Sequence, residues 1–307
     1  MLFSAVVLGT VLCPVVAFVG VPIAAAGIAG LVYRGRTALA VGAAVAGVAA
    51  TGAFSVSNVA YAAPVLTVVI LAVLLLRTWS LQPVAAILVA VLALAGVAAD
   101  ALYALSRGTT LLASVSKQSH AVVAEMGKAM GNSASSSALA GLDEAAKFVE
   151  SAWPSTYFQS AVFISALVVV SIVWAARRVD NPLDVGSVST LDLSPHILWA
   201  FVVGLFLLAV SYLSFAASGL VGVVGLNLVL CARTLFFLQG FGVVAGVLDR
   251  SGVRFGGRIL ALAGLILLDA FTLFVSFIGL LDFWVNFRRV PREGVTPATA
   301  EPDGRRW

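Results

Sequence analysis

Five long stretches of this chain carry no Asp, Glu, Lys or Arg: 2–33, 37–76, 78–99, 151–176 and 193–232. A helix needs about 20 such residues to cross a hydrocarbon core about 30 Å thick, so several of these stretches hold more than one crossing. With 61% hydrophobic and 10% charged residues, the chain cannot hide its apolar surface in a water-soluble fold; soluble domains carry about 25% charged residues. The patterning predicts an all-α, polytopic membrane bundle of about eight hydrophobic helices, within a range of about 7–9. It also predicts a single transmembrane domain over 1–290, with 291–307 as a disordered polar tail rich in Pro and charge.

The expected crossings are 2–33, 37–56, 60–76, 82–105, 157–176, 197–217, 219–248 and 259–287. The first is long for one helix, and Pro14 and Pro22 should kink it. It reads as a retained helix, since a signal peptide has a basic start and a shorter apolar core. Cys13 and Cys231 both fall in apolar runs and read as small packing residues. The formal net charge of +4 is spread mostly between apolar runs, with no aromatic-interleaved basic surface, so nucleic acid is not an expected partner. The expected surroundings are a lipid bilayer, the bacterial cytoplasmic membrane, and other membrane subunits.

Residues 106–156 differ from the rest. They hold His120, all three lysines (Lys117, Lys128, Lys147) and the acids Glu125, Asp143, Glu144 and Glu150. Leu111, Val115, Val122, Met126 and Met130 recur at helical spacing, as do Leu139, Leu142, Ala146, Val149 and Trp153. A Gly-Asn-Ser-rich loop, 131–137, separates them. The segment predicts two amphipathic helices that lie on the membrane or cap the bundle.

Arg34, Arg36, Arg77, Arg177 and Arg178 fall on one side if the first five crossings alternate, and that side should be cytoplasmic. Eight plain crossings would put Arg288, Arg289 and Arg292 outside. Either that rule fails here or one segment dips and returns. The seventh is the candidate for the dip, because Gly240, Gly242 and Gly246 could loosen it.

Walker A, HExxH and GxSxG signatures are absent. No His, Cys, Asp and Glu cluster has metal-ligand spacing, and His120 and His196 are far apart in sequence. The expectation is a protein that is not an enzyme, with no catalytic residues, cofactor or metal. Ionisable residues inside crossings are the informative ones, because each is costly there. Asp269 lies 11 residues past Arg258, a depth of about 16 Å at the helical rise. Arg233, central in its own segment, should reach a similar depth, and pairing is the simplest relief for both. The pair reads either as a clamp between helices or as a ligand or ion site at the bundle centre. Weaker candidates are Asn227 and Gln239, each six residues from Arg233 but off its face, and Asp282, which shares a face with Asn286. Asp282 and Asp100 lie near helix ends, where solvation at the interface is the expected state. Gly219, Gly222 and Gly225 would allow close helix contact.

Phe236-Phe-Leu-Gln-Gly240 is followed by a basic loop and a last span closing on Gly279, Asp282, Trp284, Phe287 and Arg288. These stretches resemble the "FFLQG" and "GLxDxWxxFR" stretches of the YybS-type bacterial membrane protein family, over positions 227–288. That resemblance implies a membrane protein and carries no activity. A looser similarity is to substrate-binding components of energy-coupling-factor transporters, which bind vitamins in a helix bundle and use ATPases on separate subunits. Their alanine-every-fourth-residue contact motif is matched by Ala25 and Ala29. The expected function is a transporter-like substrate-binding component without its own ATPase. The alternative is an envelope scaffold or assembly factor with no small-molecule ligand, using 106–156 and the tail as partner surfaces.

Overall fold

The computed structural model describes residues 1–13, 17–54, 56–130, 136–179, 192–213, 219–253 and 255–288. The expected tail, 291–307, and Pro14 lie outside the described residues. The described residues form eleven helices and no strand. They group into two compact units, one of 1–185 with 203–231 and one of 186–202 with 232–307.

The first unit begins with α1 (Leu2–Leu12) and α2 (Ala17–Val32). The first charge-free run is therefore a hairpin rather than one kinked crossing. At 11 residues, α1 is about 16 Å long, half the depth of a bilayer core. Glycines bring the two arms together. A Cβ on Gly9 would strike the Ala24 backbone nitrogen, and one on Gly27 would lie 2.8 Å from the Val6 side chain. Thr10 packs on Gly47 of α3 (Thr37–Phe54) and donates its hydroxyl to the Val6 carbonyl at 2.8 Å. This satisfies the threonine inside its own helix.

The remaining helices of this unit's bundle are α4 (Val56–Leu75), α5 (Leu81–Ser106), α6 (Leu111–Met130) and α7 (Ser136–Arg177). Their core is built from small and β-branched residues: Ala25, Ala29 and Ile28 on α2, Val68 and Ala72 on α4, and Val168 and Ile172 on α7. Small residues let helices approach closely where lipid supplies no hydrophobic drive for their association. Arg77 lies over the Tyr33 ring and Arg178 over the Trp174 ring, at 5.8 Å and 4.3 Å. Two of the basic residues that close the runs thus rest on aromatic faces.

The second amphipathic helix and the fifth crossing, expected as separate elements, are one helix. α7 runs unbroken for 42 residues, about 63 Å, with Pro154 inside it. The second half of the amphipathic segment is thus a continuation of a crossing helix, while the first is α6. α8 (His196–Leu213) and α9 (Leu220–Arg250) contribute residues to both units. Within the first unit, Gly204 and Gly225 face each other: a Cβ on either would lie 3.1 Å or less from the other's carbonyl.

The second unit contains the rest of α9 with α10 (Phe255–Thr272) and α11 (Phe274–Val285). α9 is uninterrupted, so the seventh segment is not the broken one. The break falls in the eighth, where Leu260–Asp269 and Phe274–Val285 meet at 96°. Leu273, at φ 56°, makes the turn in the left-handed region, an unusual conformation for a branched side chain.

Among the described residues, five helices are long and apolar enough to cross a membrane, or six if the bent pair is one span. The polarity is distributed accordingly. Gln239, Asp269, Asp282 and Arg288 are buried, while Leu94, Phe206 and Leu260 are exposed. That arrangement suits lipid, where backbone and side-chain polar groups must be satisfied inside the protein.

Candidate functional site

The two family-like stretches meet at one helix crossing. Gly240 of α9 and Gly279 of α11 sit in contact so close that a Cβ on Gly240 would collide with the Val275 carbonyl, and one on Gly279 with the Phe236 carbonyl. Phe236 packs edge-on against both Phe201 and Phe283, with centroids 5.2 and 6.0 Å away. Gly240, expected to loosen α9, instead admits α11.

Beside the crossing lies a buried polar cluster. Asp282 and Gln239 are both 0% exposed. Gln239 Nε2 donates to Asp282 Oδ2 at 2.9 Å and to Asp192 Oδ1 at 3.0 Å, while its Oε1 accepts the Leu193 N–H at 3.2 Å. Arg288 donates to Asp282 Oδ2 from Nη2 at 2.9 Å and from Nε at 3.2 Å, and Nη2 also reaches Asp192 Oδ1 at 3.3 Å. Asp282 is therefore not solvated at the interface. The chain leaves α11 through Asn286 at φ 49°, which turns the Phe287 N–H onto Asp282 Oδ1 at 2.8 Å and folds Arg288 back over the carboxylate. Two acids on one guanidinium, with every donor of the amide engaged, make a satisfied internal network.

Arg233 and Asp269 form the second polar layer. Arg233 Nη2 lies 3.4 Å from Asp269 Oδ2 and 3.4 Å from the Asp269 carbonyl oxygen. The shorter bonds of that carboxylate go elsewhere. Oδ1 accepts the Ser276 N–H at 2.8 Å and Oδ2 the Ser276 hydroxyl at 2.9 Å. Ser276 is the third residue of α11, so Asp269 performs the capping that Leu273 cannot. The aspartate holds the 96° bend together, and the arginine adds a longer contact to it.

Asn227 does not join these layers; it faces α7 within the first unit. Its Oδ1 accepts the Ser155 N–H at 2.8 Å and its Nδ2 donates to the Ser151 carbonyl at 2.7 Å. Those two groups are an i, i−4 pair of α7 directly beside Pro154, where the ring disturbs the helix ladder. One side-chain amide thus bridges the weak point of the longest helix.

Space for a ligand lies elsewhere in that unit. A cavity of about 510 Å³ opens between α5, α6 and α7. Both expected apolar stripes line it, through Val115, Val122 and Met126 on α6 and through Leu142, Val149 and Trp153 on α7. The two amphipathic faces therefore turn toward each other around a hollow they do not fill; Val122, Met126 and Val149 remain exposed. Glu150 of α7 holds α6 in place, accepting from the Ser116 hydroxyl at 2.6 Å and pairing with His120 Nε2 at 3.1 Å. Asp100, near the end of α5, stands in the wall. Its Oδ1 accepts from the Tyr61 hydroxyl at 3.2 Å and its Oδ2 from the Tyr157 hydroxyl. A second hollow of about 320 Å³ adjoins the first and shares Asp100, Val115, Gln118 and Tyr157 with it.

The family model described as "Predicted membrane protein (DUF2232)" matches residues 1–283. The chain belongs to this family. No curated protein and no solved structure matches it. The DUF2232 match takes in the cavity-bearing unit and the α9–α11 crossing as far as Phe283.

Of the residues singled out in this DUF2232 chain by sequence, the structure brings Arg233 to Asp269 and Gln239 to Asp282 and leaves Asn227 apart. Asp192 and Arg288 complete the second pair, and sequence reasoning missed both as partners. It also passed over Tyr61 and Tyr157, 39 and 57 residues from the Asp100 they serve. A tyrosine near a span end carries no signal that separates it from an interface anchor. Among the described residues no three of His, Cys, Asp and Glu converge as metal ligands would.

Proposed function

We propose that this membrane protein binds a small molecule in the α5–α6–α7 cavity and serves as the substrate-binding component of a transport system in the bacterial cytoplasmic membrane. It does no chemistry itself and relies on separate subunits for energy. The observation that carries this reading is the hollow. Two amphipathic helices ordinarily bury their apolar faces on each other or on the bundle; here they line about 510 Å³ of space. Small-molecule sites are commonly about 300–1,000 Å³, apolar, with a few convergent polar groups. Asp100, Gln118, Ser119 and Tyr157 supply such groups. On this reading the buried charges of α9 to α11 are clamps, since each carboxylate is engaged by the protein's own donors.

Purification of the full chain from native membranes in mild detergent, with its partners identified by mass spectrometry, tests the reading. Co-purifying ATPase and coupling subunits in fixed ratio are the expected result. Envelope-assembly proteins in their place would favour the scaffold reading, which Leu112 and Phe148 support. Both are exposed on the α6–α7 segment and outside the hollow's lining.

A further inference from the structure

Resting on that binding reading, we infer that the cavity takes an amphipathic organic cation: an ammonium or similar group held at Asp100, with an apolar body between α6 and α7. The charge balance of the walls is one-sided. Across both hollows the lining residues include one acid, Asp100, and no Lys, Arg or His. Among the described residues no cation forms an ion pair with Asp100. The nearest base along α5 is Arg107, two turns further on, and its guanidinium lies over the Tyr103 ring at 5.4 Å.

Asp100 is half-buried in this wall, where a carboxylate attracts a cation more strongly than it would in bulk water. The hydroxyls of Tyr61 and Tyr157 are neutral donors, so they leave its charge uncompensated. An incoming cation supplies that compensation; an anion would be repelled, and a neutral ligand would gain nothing from the charge. The surrounding rings favour the same class. Trp153 and Tyr157 stand edge-to-face with centroids 5.9 Å apart, and Tyr61 and Tyr103, the ring that Arg107 covers, also line the adjoining hollow. Aromatic faces beside a carboxylate are the means by which proteins hold alkylammonium groups. Beside the neutral polar groups of Gln118, Ser119, Thr156 and Ser160, the wall from Val122 and Met126 to Leu142 and Val149 offers apolar contact. The ligand must therefore carry a hydrocarbon portion beside its charge.

The test uses the full chain in lipid nanodiscs and three probes of equal chain length: hexyltrimethylammonium, hexanol and hexanoate. The melting temperature is followed against each probe. The cation should raise it saturably and bind at least about tenfold more tightly than the other two, which corresponds to about 1.4 kcal/mol. Asp100→Asn should remove that preference, Asp100→Glu should keep part of it, and Val123→Trp, which fills the cavity, should abolish binding of all three. If Asp100→Asn fails to fold, the ranking of the probes on the unaltered chain decides. A preference for hexanol or hexanoate that Val123→Trp removes would overturn the cation and leave the binding site standing. Saturable binding by none of the three would overturn both.

Discussion

Gly279 of α11 lies against the Phe236 carbonyl of α9 with no room for a methyl group between them. The contact is backbone to backbone, so no side chain can swing aside to relieve an intrusion. Gly279→Ala should therefore destabilise the protein by at least about 1–3 kcal/mol, the usual cost of overpacking. Gly42→Ala on α3, where nothing lies within 4 Å, should be neutral or stabilising by up to about 1 kcal/mol through helix propensity. Thermal melts of the purified variants compare the two directly.

Asp282 and Arg288 should behave as a buried pair. Asp282→Ala removes the fully buried carboxylate that Arg288, whose side chain is 2% exposed, donates to from two nitrogens, and should cost about 3–5 kcal/mol. Adding Arg288→Met to Asp282→Ala should recover part of the loss, because the stranded charge is gone. A double-mutant cycle on melting temperature reads the coupling; additive losses would contradict the network.

Asp269 and Arg233 differ from that pair. A charge-reversed Arg233→Asp, Asp269→Arg protein should not regain stability, because an arginine at 269 cannot accept the Ser276 N–H. Asp269→Asn, which keeps an acceptor, should cost less than Asp269→Ala, whose loss should be about 1–2 kcal/mol or more on the scale of a helix cap. Arg233→Met should be the mildest of the set. Full rescue by the reversal would show that charge pairing, rather than capping, holds the bend.

Asn227→Leu should loosen α7 locally. Leaving the Ser155 N–H and Ser151 carbonyl without the bridging amide should cost about 1–3 kcal/mol. Amide hydrogen exchange should accelerate over 151–158 in particular. Unchanged exchange in that window would mean that α7 closes over Pro154 without help from α9.

These residues were unequally legible. The membrane class follows from the charge-free runs alone. Arg233 and Asp269 stand out in sequence because an ionisable group at mid-depth demands a partner. Asp282 was misjudged because its distance from the helix end suggested solvent. Its burial depends on the left-handed turn at Asn286 that returns Arg288 to it, and no local pattern announces that turn. The division of 2–33 into a hairpin was hidden for a related reason: an all-apolar run gives no polarity signal for where one helix stops. The amphipathic stripes were visible from their spacing, but spacing gives only a face, and what the face meets is a matter of tertiary packing. The Asp100–Tyr157 contact had no sequence signal at all.

The most direct test of the binding-component reading is native mass spectrometry of the full chain, released from membranes without delipidation, beside the cavity-filling variant Val123→Trp. The account predicts a small-molecule adduct on the unaltered chain that is missing from the variant, with both proteins folded to similar melting temperatures. The same adduct on both, or none on either, would contradict it.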